Sequence, residues 1–332
     1  MTVVACARCA ALHAAPGAAP SRCPACGAEA LQEAPAERRP SPERRAVGKV
    51  DAAGARKRLA DAAGAVWYAT PDLAQAASEA RVTPLWWPHW LCDVDAVGIY
   101  QAELGFDEEV ESSQEVYEGG RWSRRTVTEQ RARWEPRVGR LQRRYDNLVV
   151  PALAGPQPAP VGGTEPCAEL PGVVRLPDRA QAEQWPAVLT ALREAVGADL
   201  VRAAGADHVR ELFLELDGDG AHWTLLLAPA FATWYADDDG VVHVLTVDGT
   251  TGEVRGPRLA SVAAGRKWAG VWFVTGGVIG GLGLLLGVVG LIVWVLLPGA
   301  GVMMLVGALV AMVGLWPLFA PAAHNRGELQ GG

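Results

Sequence analysis

Four of the six cysteines stand in two Cys-x-x-Cys pairs, and no other residues in this chain have spacing so specific to one kind of chemistry. Cys6 and Cys9 form the first pair and Cys23 and Cys26 the second, with thirteen residues between the pairs. This spacing is typical of a zinc ribbon, in which two turns present four thiolates to one tetrahedral Zn²⁺. Because four thiolates close the coordination sphere, the sequence predicts a structural zinc ion rather than a catalytic one.

Two other interpretations of the cysteine pairs are weaker. A redox dithiol needs a surrounding βαβ pattern, which neither pair has, and does not explain two pairs at ribbon spacing. A lipidated Cys6 needs a basic and then an apolar signal segment, but only five residues precede Cys6 and none of them is basic. We expect His13, between the pairs, to be a loop residue, and Cys92 and Cys167 to be bystanders.

No Ser/His/Asp or Cys/His set in the chain has a local context that favours catalysis. We therefore expect a protein that is not an enzyme, with neither catalytic nor cofactor-binding residues and no small-molecule substrate. The Asp/Gly runs at 217–220 and 237–240 lack the twelve-residue calcium loop with its closing Glu, so they are predicted to be hairpin turns. Four histidines on apolar segments are predicted to be core or edge residues: His89, His208, His222 and His243.

Two blocks of opposite charge lie next to each other in the sequence. Residues 101–118 carry seven acidic side chains and no basic one, whereas residues 121–144 carry nine arginines. The blocks are predicted to face each other across an antiparallel sheet. An alternative is that the arginine block binds nucleic acid or lipid headgroups. The net charge of −7 argues against a protein that coats nucleic acid through bulk positive charge.

Residues 268–323 contain no charged side chain. One helical crossing of a bilayer needs about 20 residues, so this stretch predicts two transmembrane helices, at about 268–297 and 302–321, that turn at 298–301. Glycines at helical spacing predict that the two helices pack on each other or on a second copy. Basic residues flank the pair on both outer sides, which predicts two cytoplasmic termini, in the compartment that keeps thiolates reduced.

The patterns of helix and strand along the chain predict an α+β fold, with an N-terminal zinc ribbon, a mainly antiparallel β body with a few helices and a C-terminal transmembrane hairpin. Helices are predicted at 47–65 and from 178 to about 196, where Pro186 divides the helix or marks its first turn, with a second piece to 204. A sheet is predicted at 82–150, and hairpins join 212–216 to 223–227 and 234–235 to 241–245, before a turn at 248–252. The predicted domains are a zinc ribbon (1–32), a linker (33–46), a sheet-rich region (47–150), an unstructured Pro-rich linker (151–172), a helix-plus-sheet region (173–266), the two transmembrane helices (267–323) and a cytoplasmic tail (324–332).

Six runs of the sequence, of a distinctive aromatic, charged and Gly-containing pattern, begin at Pro84, Gly98, Glu103, Trp134, Tyr145 and Val247. These runs resemble a family of poorly characterised bacterial zinc-ribbon membrane proteins, whose names are often taken from transcription-factor or primosomal zinc ribbons. The resemblance covers most of the chain, and its ribbon motif is specific. The chain has no helicase motif, no phosphate-binding loop and no recognition helix, so the activities in those names are not expected here. The turn at 248–252 is also similar to the closing hairpin of PepSY-type domains.

These features together predict a two-pass protein of the bacterial inner membrane, bound to the lipid bilayer, with a zinc-bearing body at its cytoplasmic face. We expect the body to act as an interaction or adaptor module for a protein partner, or to form a homo-oligomer. A nucleic-acid-binding protein that uses the ribbon and residues 121–144 is the less favoured alternative.

Overall fold

The computed structural model describes residues 2–17, 19–35, 41–154, 157, 160–167, 170–216 and 221–331. Within these residues the chain is an α+β protein, as predicted, with one mostly antiparallel mixed sheet, few helices and two long apolar helical segments at the C-terminus. The strands are β1 (Thr2–Cys6), β2 (Leu12–Ala15), β3 (Leu31–Glu33), β4 (Arg44–Ala46), β5 (Thr83–Glu118), β6 (Arg121–Pro151), β7 (Thr164–Pro166), β8 (Val173–Arg175), β9 (His208–Leu216), β10 (Ala221–Ala236), β11 (Val242–Asp248) and β12 (Val254–Arg255).

The helices fall into two groups. Three belong to the body: α1 (Ala52–Gly64), α2 (Pro71–Gln75) and α3 (Trp185–Ala204), the last preceded by a 3-10 turn at Gln181–Gln184. The apolar group comprises α4 (Val262–Gly290), α5 (Leu297–Val313) and α6 (Leu315–Gly331), with a 3-10 turn at Trp294–Leu296 before α5. The predicted helix at 47–65 is confirmed as α1, and Asp51 caps it by accepting a hydrogen bond from the Gly54 amide at 2.7 Å.

The sheet is built around one long hairpin of β5 and β6. Their register runs from His89 opposite Pro151 to Glu118 opposite Arg121, with one irregularity between Cys92 and Val94. The predicted sheet at 82–150 is therefore confirmed, and the acidic block of β5 lies against the arginine block of β6. Arg124, for example, lies 3.6 Å from Glu115 on the neighbouring strand.

The main core lies between this sheet and α3. Val188, Leu192 and Val196 occupy one side of α3 and are buried against β5, β6 and β10. Pro186 lies in the first turn of α3, where its missing N–H costs nothing, so it starts the helix instead of dividing it. The helix continues without a break to Ala204, and the two predicted pieces are one helix.

The predicted hairpin between 212–216 and 223–227 is wrong. β9 pairs antiparallel with β5 from Gly105 to Gly98, and β10 pairs antiparallel with the same strand from Val94 to Thr83. Because both run antiparallel to β5, they run in the same direction and lie end to end along one edge of it. The predicted turn at 217–220 lies outside the described residues. The other two predictions are confirmed, since β10 pairs with β11 and β11 with β12.

The Pro-rich segment at 151–172 is not unstructured throughout. Its residues Thr164–Pro166 form β7, which pairs antiparallel with β4, and β8 follows directly after it. The Arg44 side chain strengthens this pairing by donating to the Thr164 hydroxyl at 2.9 Å. Both short strands join the sheet, so this part of the chain belongs to the body; the domain boundaries stay a prediction.

The apolar C-terminal segment forms two helical spans that are long and apolar enough to cross a membrane, Val262–Val289 and Trp294–Gln330. The predicted turn at 298–301 is wrong, because the helices reverse at residues 291–293 and Pro298 lies in the first turn of α5. The spans pack on each other through glycines: an added Cβ at Gly307 would lie 2.5 Å from the Gly280 amide nitrogen.

The C-terminal end of α6 returns to the start of α4. Asn325 accepts a hydrogen bond from the Ala260 amide at 2.7 Å, and Glu328 pairs with Arg258 at 3.1 Å. Residues 324–331, predicted to be a tail, are part of α6. The two ends of the apolar hairpin therefore lie on the same side, next to the body.

Candidate metal centre

The structure brings the four predicted cysteines together. Their sulfur atoms all lie within 4.8 Å of one another, with Cys6 and Cys26 at 3.6 Å and Cys9 and Cys23 at 3.7 Å. The corners of a tetrahedron with 2.3 Å metal–sulfur bonds are about 3.8 Å apart. The spacing of the four sulfurs thus matches the tetrahedral coordination of a single metal ion, in which sulfur would occupy all four positions.

Two similar turns position these sulfurs. In the first, the Ala10 amide donates to the Cys6 carbonyl at 2.9 Å, and in the second the Gly27 amide donates to the Cys23 carbonyl at 2.8 Å. Ala10 (φ 56°) and Gly27 (φ 74°) both adopt the left-handed conformation directly after the second cysteine of their pair. Glycine suits this conformation and marks the second turn in the sequence, whereas Ala10 gives no such signal.

The cysteine thiols differ in their electrostatic surroundings. Burial raises the pKa of the Cys23 thiol, and backbone hydrogen bonds offset this only in part. Burial also raises the pKa of Cys6, but hydrogen bonds from the backbone of Cys9 and Arg8 outweigh it and lower that pKa to about 7. Because a bound cation favours thiolates, metal binding would draw protons from the buried Cys23.

His13 is not the loop residue that was predicted. It lies on β2 with no exposed surface, and its Nε2 atom is 3.4 Å from the Cys23 sulfur. Burial, and then the positive charge of Arg175, lower the pKa of His13 to about 4, so the imidazole is neutral at neutral pH. A neutral ring protonated at Nε2 donates a hydrogen bond to a Cys23 thiolate, which orients that sulfur toward the metal.

Replacing this histidine is expected to weaken metal binding. The variant His13→Phe keeps the bulk of the ring but removes the donor to Cys23, and losses of this kind typically lower metal affinity by about 10- to 100-fold. Competition between the purified protein and a chromophoric chelator for Co²⁺ measures the effect. His222→Phe, on the exposed part of β10, is the matched control. Equal affinity in the two variants would show that His13 does not support the site.

The cysteine module is joined to the main sheet by strand pairing. β2 pairs with β8, and β8 pairs with β5, while Ala14 is buried with Trp86 and Val174. On the other side, the guanidinium groups of Arg22 and Arg81 lie 4.1 and 4.2 Å from the centre of the Trp234 ring. The cysteine module therefore contacts strands of the body on two sides.

The other candidate residues lie apart from this cluster. Cys92 is buried in the core on β5, where burial and then the neighbouring Asp93 raise its pKa to about 11, so its thiol stays protonated. Burial also raises the pKa of Cys167. The four histidines predicted to be core or edge residues lie on strands: His89 on β5, His208 on β9, His222 on β10 and His243 on β11.

Comparison of the chain with protein families, with characterised proteins and with solved structures finds no match. Four clustered cysteines compatible with a zinc ribbon, together with two apolar helical spans, are the features that agree with the family resemblance.

Proposed function

We propose that this protein is a non-enzymatic adaptor of the bacterial inner membrane that presents a β arm to a protein partner on the cytoplasmic side. The observation that carries the proposal is a two-stranded ribbon, residues 107–132, that projects from the sheet; we call it the arm. The pairing of β9 with β5 ends at Gly105 of β5, and the arm extends beyond that residue.

The arm ends in a tight turn with an exposed aromatic pair. Gly119 and Gly120 both have positive φ (59° and 82°), as a two-residue hairpin turn requires. Tyr117 and Trp122 lie opposite each other beside this turn with ring centres 5.1 Å apart. They are 58% and 71% exposed, so a large apolar surface lies at the far end of the arm.

The arm has too little buried surface to be stable by itself. None of its side chains in the described part is fully buried, and a two-stranded hairpin with both faces in water is only marginally stable. A partner that covers one face would supply the missing burial. Aromatic residues surrounded by charged ones are also typical of the energetically important part of a protein–protein interface.

The direction of the arm supports a role away from the membrane. The Ser261 hydroxyl, at the start of α4, donates to Asp238 in the β10–β11 turn at 3.0 Å, so the apolar helices leave the body at this end of the sheet. β5 begins opposite Ala232 near the same end and runs away from it for 36 residues. At about 3.3 Å per residue, the strand extends for roughly 120 Å.

The remaining parts of the proposal rest on chemistry. A closed set of four sulfurs in a reducing compartment favours structural Zn²⁺ over a redox or catalytic metal. Arg255 and Arg258 lie before the first span, Arg266 and Lys267 lie near its start, and Arg326 lies near the end of the second span. These basic residues favour a cytoplasmic location for both termini.

The charge of the arm favours a protein partner over a nucleic acid partner. Residues 107–132 carry seven acidic and four basic side chains, so the arm has a net charge of −3, and Arg124 and Arg131 pair with Glu115 and Glu129. A phosphate backbone would be repelled by the net charge and would have to break these pairs.

Removal of the arm tests the proposal. Glu108 and Arg131 are register partners, so an Asn-Gly turn in place of residues 109–130 closes the hairpin and keeps the contact of Asp107 with His208 on β9. We expect this variant to keep its thermal unfolding temperature and metal content but to lose partner capture from mildly solubilised membranes. A photo-crosslinking residue in place of Trp122 is expected to give a discrete product that the same substitution at Val241 does not.

Capture that is unchanged without the arm would contradict its role in recognition. Loss of capture in Cys23→Ser, measured at a temperature at which circular dichroism shows that the variant is still folded and with the arm intact, would assign recognition to the cysteine module. Salt-sensitive binding of DNA by the full-length protein, weakened by Arg124→Glu with Arg125→Glu, would favour the nucleic acid alternative.

A further inference from the structure

The sheet has one covered face and one bare face where β6, β5 and β9 lie side by side. On β5, Val94 and Ala96 point to the covered face and are buried with α3, while Val97 and Ile99, which alternate with them, are exposed on the other. We call the bare face, formed by the exposed side chains of 97–101, 138–142 and 213–215, the outer face.

The outer face carries a patch of four exposed apolar side chains, with the polar side chain of Gln101 among them. Val138 on β6 and Phe213 on β9 are both opposite Gln101 of β5, one on each side, and are 72% and 55% exposed. Ile99 and Val97 continue the patch along β5. Clusters of exposed apolar side chains on a flat sheet face are typical of a surface that another protein covers.

Two unpaired charges of opposite sign flank the patch symmetrically. Arg140 on β6 and Glu215 on β9 are both opposite Ile99 of β5. Neither side chain has an ion pair within the part of the chain that the structure describes. The three neighbouring side chains are therefore positive on β6, apolar on β5 and negative on β9.

We propose that a second copy of this chain covers the outer face, related to the first by a two-fold axis parallel to β5. This rotation places β6 of one copy over β9 of the other, so Arg140 faces Glu215 of the second copy and Val138 faces Phe213 of the second copy. Each contact occurs twice, as in an isologous interface. Two sheet faces packed in this way, about 10 Å apart, form a sandwich core.

The membrane anchor selects this arrangement. Given the anchoring proposed above, β5 runs away from the bilayer, so a two-fold axis parallel to it keeps both apolar hairpins in the same membrane. Shared anchoring also raises the effective concentration of the two copies, which offsets the modest size of a three-stranded face. The two arms then project side by side, and a partner could contact both.

A charge exchange tests the dimer. In the full-length protein in detergent, sedimentation is expected to show a dimer whose association constant falls about tenfold in Arg140→Glu and in Glu215→Arg, because each variant places like charges opposite each other. The double variant Arg140→Glu/Glu215→Arg restores the opposite charges and is expected to associate as the wild type does. Rescue of this kind is not expected from a fold defect.

A crosslinking measurement in native membranes separates this proposal from the adaptor proposal. The axis passes beside Ile99, so Ile99→Cys is expected to give a dimer with a short bismaleimide, whereas Val241→Cys, exposed near the membrane end, is not. A monomer in both measurements, or a double variant that associates as weakly as the single ones, would overturn the dimer. Partner capture that depends on the arm would be unaffected by that outcome.

Discussion

Cys23→Ser is expected to destabilise the whole body and not only the first 32 residues. The cysteine module shares β2 and its neighbours with the main sheet, so loss of the metal releases strands that Trp86 and Val174 pack against. Structural metal sites of this size contribute on the order of 10 kcal/mol in small modules, and we expect at least half of that here. The thermal unfolding temperature should therefore fall by roughly 10 to 20 °C.

The measurement is thermal unfolding of the full-length protein in detergent, together with metal content by mass spectrometry and limited proteolysis. Cys167→Ser is the matched control, because Cys167 is half-buried and lies outside the cluster. A strong chelator should reproduce the effect of Cys23→Ser in the wild-type protein. If the variant lost its metal but unfolded at the wild-type temperature, the module would not hold the body together.

The second large effect is expected in the apolar hairpin, from a comparison of two adjacent glycines. A Cβ at Gly276 would lie 2.6 Å from the Gly307 carbonyl oxygen and 2.7 Å from the Ala311 amide nitrogen, and neither backbone atom can move without separating the helices. At Gly277 nothing lies within 4 Å of the added atom. Gly276→Val is therefore expected to cost about 3 kcal/mol of hairpin stability, while Gly277→Val has little effect.

Thermal unfolding in detergent, followed by circular dichroism of the helices, compares the two variants. Both add the same β-branched side chain at neighbouring positions of α4, so the change in helix propensity is matched and the difference reports the packing alone. Equal unfolding temperatures would show that α4 and α5 do not approach each other through Gly276.

The parts of the site that follow from local chemistry could be predicted. A Cys-x-x-Cys pair makes a turn by itself, and two pairs at ribbon spacing converge, so all four sulfurs could be named. His13 could not be assigned, because its role depends on burial beneath strands that are distant in the sequence, and its cross-strand neighbour Arg175 is far along the chain. The only sequence signal for the role of His13 was its position between the two cysteine pairs, in a segment whose residues alternate as in a strand.

The arm shows the same limit. The charge blocks predicted that β5 and β6 face each other, and Gly119-Gly120 is a further sequence signal, not included in the predictions, for the hairpin turn between them. Neither feature indicates how far the other strands extend along β5. Because β9 stops at Gly105, the remainder of the hairpin projects, and that depends on the whole sheet.

The cysteine cluster, the α+β class, the facing charge blocks and the two apolar spans could be predicted from the sequence, because each depends on residues close in sequence or on composition alone. Three features became visible only in the folded protein: the cysteine module is built into the main sheet, β9 and β10 lie end to end on β5, and a bare face and an arm remain. These features depend on which strands share an edge. Strand pairing between distant segments is set by the packing of the whole sheet, and local patterns do not encode it.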